Sequence, residues 1–177
     1  MSAHPRLQKL TLVLGGAASG KSKYAESIIR QSGKNPVYLA TSQPFDDEMQ
    51  AKVTAHRQQR GDGWDTIEEP INISKVLDSV NETQAVLIDC ATLWLGNLMH
   101  YDHDTDAAFD DLVAACRRCA APVVIVSNEL GMGLVPETSM GRKFRNLHGK
   151  MNQQIAAAAD TVLFVAAGLP MTLKGAE

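Results

Sequence analysis

Short apolar runs alternate along the chain with longer segments in which apolar residues recur every three or four positions. Such runs are typical of strands buried in a parallel sheet, and such segments are typical of helices that pack on its faces. The pattern predicts about five parallel strands, which are marked most clearly at 12–14, 37–40, 85–89, 122–127 and 161–167. A shorter strand is indicated between Trp64 and Pro70, and the strand at 161–167 is expected to close the sheet before a short tail.

Helical spacing fills the segments between these runs. Predicted helices follow the first strand and cover 46–60, 73–80, 92–99, 109–116 and 139–159. In the last of them we expect a buried stripe formed by Met140, Phe144, Leu147, Met151 and Ile155. Because no linker, repeat or low-complexity segment divides the sequence, we expect one domain over residues 1–177, an α/β fold with a mostly parallel central sheet flanked by helices.

Composition narrows the range of partners. The 177 residues carry a net charge of −3 and are only 5% aromatic, so we expect neither a basic footprint nor a base-stacking platform for nucleic acid. No apolar run approaches the roughly 18 residues of a membrane span, and the first residues lack an apolar core, so a cytoplasmic protein is expected. The three cysteines cannot all pair, and we expect them to be reduced thiols.

The first strand runs into a glycine turn and then into a helix. Gly15, Gly20, Lys21 and Ser22 in this turn fit the Walker A spacing GxxxxGK[ST]. In such a loop the glycines let main-chain N–H groups surround phosphate oxygens, the lysine reaches the outer phosphates, and the serine ligates Mg²⁺. A glycine turn that binds nothing is the alternative, but it has no reason to place Lys and Ser after the second glycine. The motif therefore predicts a nucleoside triphosphate site.

Two further strands end in polar residues. The apolar run at 85–88 ends in Asp89, which is the Walker B pattern and predicts a second Mg²⁺ ligand beside Ser22. The run at 122–127 leads into Asn128 and Glu129 and a glycine-rich loop. Ligands of open α/β sheets lie beyond the carboxyl ends of the strands, so this loop is either a structural turn or a substrate loop, and the pattern does not decide between them.

A histidine lies within the predicted helix at 46–60. Met49, Val53, His56 and Arg60 fall on one face of this helix, with Arg57 beside His56. Spacing alone favours a partly buried histidine on a packed helix over a catalytic one.

Several blocks together resemble one family, the bifunctional adenosylcobinamide kinase / adenosylcobinamide-phosphate guanylyltransferases of cobalamin nucleotide-loop assembly. The resemblance extends from Thr11 to Lys174. The blocks that carry it are GGAASGKS, YLAT followed by DDEM and HRQQR, DCATLWLGN, SNELGMGLVPE, and FRNLHGKMNQ running into AAAADTVLFVAAGLP. The family usually has Arg where this chain has Ala18 and Asp where it has Asn146.

The resemblance implies a P-loop NTPase fold of the RecA-like type and two reactions. A nucleoside triphosphate, ATP or GTP, phosphorylates the aminopropanol hydroxyl of adenosylcobinamide, and GMP is then transferred from GTP to that phosphate through a guanylyl-histidine. The matching histidine is His56, which changes the balance of the two interpretations towards catalysis. A neutral imidazole can attack the α-phosphorus and displace pyrophosphate. The resemblance also implies a homotrimer.

The predicted site therefore has His56 and Lys21 as catalytic residues and Ser22 and Asp89 as Mg²⁺ ligands. The nucleotide-binding set is Gly15, Gly16, Ala17, Ala18, Ser19, Gly20, Lys21, Ser22, Arg57, Arg60 and Glu69. One alternative is a P-loop small-molecule kinase without guanylyltransferase activity, in which His56 is structural. A regulatory GTP switch is a second alternative, but SNEL and DCAT do not have the form of its guanine-reading and switch motifs.

Overall fold

The computed structural model of the protein describes residues 7–43, 51, 54, 55, 58 and 60–175. These residues form seven strands, which are β1 (Leu10–Gly15), β2 (Asn35–Ala40), β3 (Asp65–Glu68), β4 (Gln84–Asp89), β5 (Val123–Asn128), β6 (Thr161–Ala166) and β7 (Leu169–Lys174). The helices bounded within the described residues are α1 (Lys21–Gln31), α2 (Ile73–Ser79), α3 (Ala91–His100), α4 (Thr105–Arg118) and α5 (Ser139–Ala158). The predicted strands and these five helices are confirmed to within a few residues at each end. Much of the predicted helix at 46–60, including His56 and Arg57, lies outside the described residues.

All seven strands belong to one sheet, in the order β3-β2-β4-β5-β1-β6-β7. Strands β1 to β6 are parallel, so their carboxyl ends meet at one edge. Strand β5 lies between β1 and β4, with Asn128 opposite Gly15 and Val126 opposite Asp89. The strand that leads into the Walker A loop and the strand that ends in Asp89 are therefore separated by a single strand.

The expectation that 161–167 is the last strand is wrong. Strand β7 pairs antiparallel with β6 and forms the edge of the sheet, with Ala166 opposite Leu169. Ala167 and Gly168 connect the two strands with φ angles of 51° and 77°, and a two-residue turn of this hand matches the twist of a hairpin. The strand was not predicted because Pro170 argues against a strand in the interior of a sheet. Proline is tolerated in an edge strand, which β7 is.

The sheet buries both faces against helices. Alternate residues of the central strands divide between two cores: Leu12 and Ile88 point to one, and Val13 and Leu87 to the other. The first core includes buried side chains of α2 to α5, and the second includes Ala25, Ile28 and Ile29 of α1. This division explains the continuous apolar runs, because a strand covered on both faces needs no polar positions. The three cysteines are buried and free of disulfides, as predicted.

The stripe predicted along the last helix is only partly correct. Met151 and Ile155 are buried in the core, but Met140 is 64% exposed. Phe144 and Leu147 are partly buried and pack against the core, so it is the first turn of α5, with Met140, that extends beyond it. In the second half, the buried positions also include two polar residues, His148 and Asn152.

Candidate active site

The Walker A loop connects the central strand β1 to the first turn of α1. Its chain turns through left-handed conformations at Ala18 (φ 54°) and Gly20 (φ 92°), which glycine adopts without strain and alanine only at a cost. A side chain at Gly15 is excluded by space, because its Cβ would lie 2.4 Å from Ser19 Oγ and 2.6 Å from the carbonyl oxygen of Val165. The sequence therefore builds a tight loop whose main-chain N–H groups and helix end favour an anion.

Lys21 lies back over this loop. Its Nζ donates a hydrogen bond of 3.0 Å to the carbonyl oxygen of Gly16. Burial lowers the pKa of Lys21 from its ordinary value, and the nearby Cys90 and Asp89 oppose this shift. Within the described residues this half-buried ammonium group is held by a carbonyl oxygen alone, and it can exchange that partner for a phosphate. The attraction to a phosphate is stronger in a partly desolvated site than it would be in water.

Asp89 ends β4 at the same edge of the sheet. Its Oδ2 accepts a hydrogen bond of 3.0 Å from the hydroxyl of Tyr38, a buried residue of the neighbouring strand β2. Burial raises the pKa of Tyr38 well above its ordinary value, and Asp89 raises it further, so the phenol remains a donor. Asp89 and the hydroxyl of Ser22 are hard oxygen donors of the kind that suits Mg²⁺. Within the described residues no group of three or more His, Cys, Asp or Glu forms a separate metal site.

Arg60 packs on the other side of Tyr38. Its guanidinium carbon lies 3.5 Å from the centre of the Tyr38 ring, and its Nη2 donates to Thr66 Oγ1 at 3.1 Å. Arg60 is 7% exposed, and its Nε has no hydrogen-bond partner among the described residues. We call Lys21, Tyr38, Arg60 and Asp89 the Asp89 cluster. It runs from the Walker A lysine to the residue that follows His56 by four positions.

A second pair of residues holds Arg60 in place. Trp64 meets the Tyr38 ring edge-on with 5.8 Å between ring centres. Arg30, near the end of α1, lies over Trp64 at 5.4 Å and donates from Nη2 to the carbonyl oxygen of Arg60 at 2.8 Å. Cation–π contacts of this kind contribute about 0.5–1 kcal/mol each near the surface. The carboxyl end of α1 is thus tied to the segment that bears Arg60.

A cavity of about 710 Å³ opens beside the Walker A loop. It is lined by Ala18, Ser19, Gly20, Lys21, Ser22, Lys23, Glu26, Ser27, Arg30 and Arg60. Arg60, predicted to lie near the nucleotide, therefore shares one cavity with five of the predicted loop residues.

Glu69 has a structural role in the structure. It follows β3, and its Oε1 accepts hydrogen bonds from the main-chain N–H groups of Ile71 and Asn72 at 2.9 and 2.8 Å. These bonds satisfy two N–H groups just before α2 begins. No described contact links Glu69 to the Walker A loop, and its assignment to the nucleotide remains a prediction. The predictions for His56 and Arg57 lie outside the described residues.

A second polar cluster, which was not predicted from the sequence, lies at the carboxyl end of β5. His148 Nε2 is 2.9 Å from Thr92 Oγ1 and 3.3 Å from Ser127 Oγ, and Ser127 Oγ donates to Asn152 Oδ1 at 2.7 Å. We call Thr92, Ser127, His148 and Asn152 the His148 cluster; all four are buried. The sequence does contain one signal of this cluster. His148 falls at helical spacing with Phe144, Met151 and Ile155, so it is a polar residue within a predicted apolar stripe.

The His148 cluster holds the end of β5. Asn128 donates its main-chain N–H to Thr92 Oγ1 at 2.9 Å, and its carbonyl oxygen accepts from Asn152 Nδ2 at 3.1 Å. The next residue, Glu129, donates its N–H to the carbonyl oxygen of Gly15 at 3.0 Å. Asn128 and Glu129 therefore emerge beside the Walker A loop, and the hydrogen bonds described for Asn128 are structural.

Apolar side chains are exposed in the loop that follows. Met132, Leu134 and Val135 are 81%, 96% and 65% exposed. Two arginines of α5 support this loop: Arg142 Nη1 donates to the carbonyl oxygens of Pro136 and Glu137 at 3.0 and 2.7 Å, and Arg145 Nη1 approaches those of Gly133 and Leu134 at 3.4 Å. These basic residues therefore hold the loop rather than only facing solvent.

Residues 11–173 match the family described as cobinamide kinase / cobinamide phosphate guanyltransferase. The chain belongs to this family. The resemblance predicted from the sequence blocks is thus confirmed over nearly the whole chain, and it places the Walker A loop and the Asp89 cluster within a family of phosphate-transferring enzymes. Of the described helices, none is long and apolar enough to cross a membrane.

Two curated relatives support this membership. The chain is 41% identical to the bifunctional adenosylcobalamin biosynthesis protein CobU of Escherichia coli strain K12, over 93% of this chain and 99% of that protein. It is 40% identical to the bifunctional adenosylcobalamin biosynthesis protein CobP of Pseudomonas aeruginosa, over 93% of this chain and 96% of that protein.

Solved structures that share the fold are more distant. The flagellar accessory protein FlaH from Methanocaldococcus jannaschii is 15% identical with a TM-score of 0.57, over 94% of this chain and 78% of that one. An ATPase of a bacterial type III secretion system is 10% identical with a TM-score of 0.58, over 92% and 56% respectively. These likenesses show the fold alone, and they confirm the predicted α/β fold of the P-loop NTPase, RecA-like type.

Proposed function

We propose that the protein carries out both reactions of its family, using the Walker A loop for the nucleoside triphosphate and His56 for the guanylyl group. The first reaction phosphorylates the hydroxyl of adenosylcobinamide with ATP or GTP. The second transfers GMP from GTP to the phosphate so formed. The observation that carries the proposal is the joint presence of a complete Walker A loop, Asp89 at the same sheet edge, and family membership over residues 11–173.

In the kinase reaction the chain's main tasks are positioning and neutralising charge. The loop N–H groups hold the phosphates, and Lys21 exchanges the carbonyl oxygen of Gly16 for an oxygen of the outer phosphate. Ser22 and Asp89 are the residues suited to hold Mg²⁺, which supplies charge neutralisation at the phosphates. The Tyr38 hydroxyl occupies one oxygen of Asp89 and thereby fixes the orientation of the carboxylate.

In the guanylyltransferase reaction His56 is the nucleophile. Its neutral nitrogen attacks the α-phosphorus of GTP, a P–N bond forms, and pyrophosphate leaves with the electron pair of the broken P–O bond. A phosphate oxygen of the phosphorylated acceptor then attacks the same phosphorus and displaces the imidazole. Arg57 and Arg60 are assigned to the phosphate charge near His56, since a guanidinium group binds phosphate through two parallel hydrogen bonds.

The decisive experiment is labelling with GTP that carries a radioactive α-phosphate, in the presence of Mg²⁺. We expect a protein-bound label that is stable to base and labile to acid. The label should be absent in His56→Asn and present in His103→Asn, a matched change at an exposed histidine in the loop after α3. If the wild-type protein phosphorylates adenosylcobinamide but never acquires label, it is a kinase without guanylyltransferase activity.

We further propose a homotrimer. The support on the molecule is the exposure of large apolar side chains in the loop at 132–135 and on β7, where Leu169, Met171 and Leu173 are 69%, 51% and 61% exposed. Patches of this kind mark interaction surfaces more often than ordinary surface. Sedimentation velocity is expected to give three times the mass of one chain, and a monomer at micromolar concentration would reject the proposal.

A further inference from the structure

The cavity beside the Walker A loop continues along a face of α1 that points away from the sheet. Lys23, Glu26, Ser27 and Arg30 line it, and they recur at the three- and four-residue spacing of one helix face. The buried residues of the same helix, Ala25, Ile28 and Ile29, lie on the opposite side. From Lys21 to Arg30 the helix rises about 13 Å. The cavity thus extends well beyond the space that the phosphates in the loop require.

The charge of this extension favours an anion. Among the described residues that line it, four side chains are cationic, namely Lys21, Lys23, Arg30 and Arg60, and one is acidic, Glu26. Lys21 is committed to the loop and Arg30 to main-chain oxygens of Arg60 and Asp62. Lys23 is exposed at the mouth. A concave site with a net excess of positive charge attracts anionic ligands.

Two buried polar atoms within the lining residues have no partner. Arg60 is 7% exposed and Ser19 is 9% exposed, yet Arg60 Nε and Ser19 Oγ make no hydrogen bond with the described residues. A buried donor without a partner costs about 1–3 kcal/mol, and such groups are rare in folded proteins. Both atoms belong to residues that line the cavity. Two residues that line the cavity therefore carry hydrogen-bonding capacity that no described residue uses.

The proposed function supplies a ligand of this kind. The acceptor's hydroxyl must reach the nucleotide held by the Walker A loop, and the phosphate formed there must then reach His56. The cavity runs from the loop to Arg60, which follows His56 by four positions in the sequence. A phosphomonoester that stays in this cavity between the two reactions does not need to leave the protein.

We propose that the face of α1 formed by Lys23, Glu26, Ser27 and Arg30, together with Arg60, is a second anion site that binds the phosphomonoester of the acceptor while the Walker A loop is occupied. This inference rests on the proposed function, because the phosphomonoester is the product of the first reaction and the acceptor of the second. The site is separate from the nucleotide phosphates: they contact the loop, whereas the phosphomonoester contacts Lys23 and Arg60.

The test uses a small probe, 1-aminopropan-2-yl phosphate, and the full chain saturated with a non-hydrolysable nucleoside triphosphate analogue and Mg²⁺. Isothermal titration calorimetry is expected to show saturable binding of the probe without release of the nucleotide. In Lys23→Gln the Kd for the probe should rise about tenfold, as expected for the loss of one charge-assisted hydrogen bond. Because Lys23 is exposed, this variant should fold normally.

The matched control is Lys75→Gln, an exposed lysine on α2 outside the cavity, which should leave the Kd for the probe unchanged. Displacement of the nucleotide by the probe, absence of saturable binding, or equal affinity in Lys23→Gln would overturn the second site. Labelling by GTP reports on the proposed function separately, since it requires His56 but not the phosphomonoester. A labelled protein that fails to bind the probe would therefore reject this inference and retain the function.

Discussion

The Asp89 cluster and the His148 cluster lie at the same edge of the sheet and differ in how their polar atoms are satisfied. In the His148 cluster four neutral side chains satisfy one another and the main chain of Asn128. In the Asp89 cluster, as far as the structure describes the chain, Lys21 donates only to a carbonyl oxygen and Arg60 Nε has no partner. Three of its four side chains are charged. The first cluster is complete without a ligand, and the second is not.

Whether the polar atoms of a cluster are satisfied distinguishes a structural cluster from a binding site better than the types of residue in it do. A histidine within a polar cluster suggests catalysis, but His148 is 1% exposed and faces hydroxyl and amide groups that position β5. Burial lowers the pKa of His148 from its ordinary value, and only the nearby Glu129 opposes the shift. A neutral buried imidazole of this kind stabilises the sheet edge, whereas the incomplete cluster is the one that we propose as the nucleotide site.

The sharpest test of the contrast is Lys21→Met, which removes one of the two cations of the Asp89 cluster and keeps most of the volume of the side chain. We expect kcat for phosphorylation of adenosylcobinamide to fall by about 10²–10³, the usual effect of losing one group that stabilises transition-state charge. The free energy of unfolding should stay the same or rise, because a half-buried amine no longer loses its hydration. Both are measurable, by steady-state kinetics and by urea unfolding.

Lys75→Met on α2 is the control for Lys21→Met, since Lys75 is exposed and outside the cavity. A Lys21→Met enzyme that retains more than a tenth of the wild-type rate would contradict the role given to Lys21.

The opposite result is expected at the other cluster. His148→Leu should lower the free energy of unfolding by about 2 kcal/mol, because Thr92 and Asn152 lose a buried partner. Nucleotide affinity should change little at a temperature where the variant is folded. Urea unfolding at pH 8 and nucleotide titration measure the two quantities. A large loss of affinity with normal stability would show that His148 belongs to the site.

The pH dependence of His148 gives a second readout of the same prediction. Its folded pKa is depressed, so below the unfolded pKa near 6.5 the unfolded chain binds a proton that the folded chain refuses. The contribution of His148 to stability is therefore complete above about pH 6.5 and decreases as the pH falls, by at most about 1.4 kcal/mol per pH unit. Burial is the reason, because a charged imidazole would lose its hydration in this site. His148→Leu should remove this part of the pH dependence.

The smallest expected effect concerns the hydrogen bond from the Tyr38 hydroxyl on β2 to Asp89 on β4. Tyr38→Phe removes the hydroxyl that fixes Asp89 and leaves the ring on which Arg60 packs. We expect the Mg²⁺ concentration that half-saturates binding of a fluorescent nucleotide to rise about fivefold, equivalent to about 1 kcal/mol. Binding without Mg²⁺ should be unaffected.

Tyr101→Phe is the matched control for Tyr38→Phe, because that exposed hydroxyl donates to Gln43 Oε1 and lies outside the Asp89 cluster. Equal Mg²⁺ dependence in Tyr38→Phe and the wild type would show that the hydroxyl does not position Asp89.

The sequence predicted the parts of the fold that depend on local pattern. Continuous apolar runs located the strands, and the strand, glycine turn and helix around Lys21 predicted the phosphate loop. Asp89 was predicted because it ends such a run. Tyr38 was not, because its contact with Asp89 depends on β2 lying next to β4, and strand order is invisible in periodicity. Arg60 was predicted to face phosphates, while its stacking on Tyr38 required the same tertiary information.

The structure differs from the predictions at two other places, β7 and Met140. Strand β7 was missed because Gly168 and Pro170 are signals of a loop, and only pairing with β6 turns them into a hairpin. Met140 was expected in the core because helical spacing predicts which face of α5 is apolar. The spacing does not predict how far along the helix the core covers that face. His56 stays a prediction, based on family resemblance rather than on described contacts.

The position of β1 has a consequence for how the protein is made. The Walker A loop is synthesised well before β5 and β6, yet β1 pairs with both of these strands, and Gly168 donates its N–H to the carbonyl oxygen of Ser19 at 2.8 Å. Contacts over such long stretches of chain form late. A nascent or truncated polypeptide that ends before 168 therefore lacks the residues that support its own loop, and the cradle for the nucleotide is completed only once the chain extends past Gly168.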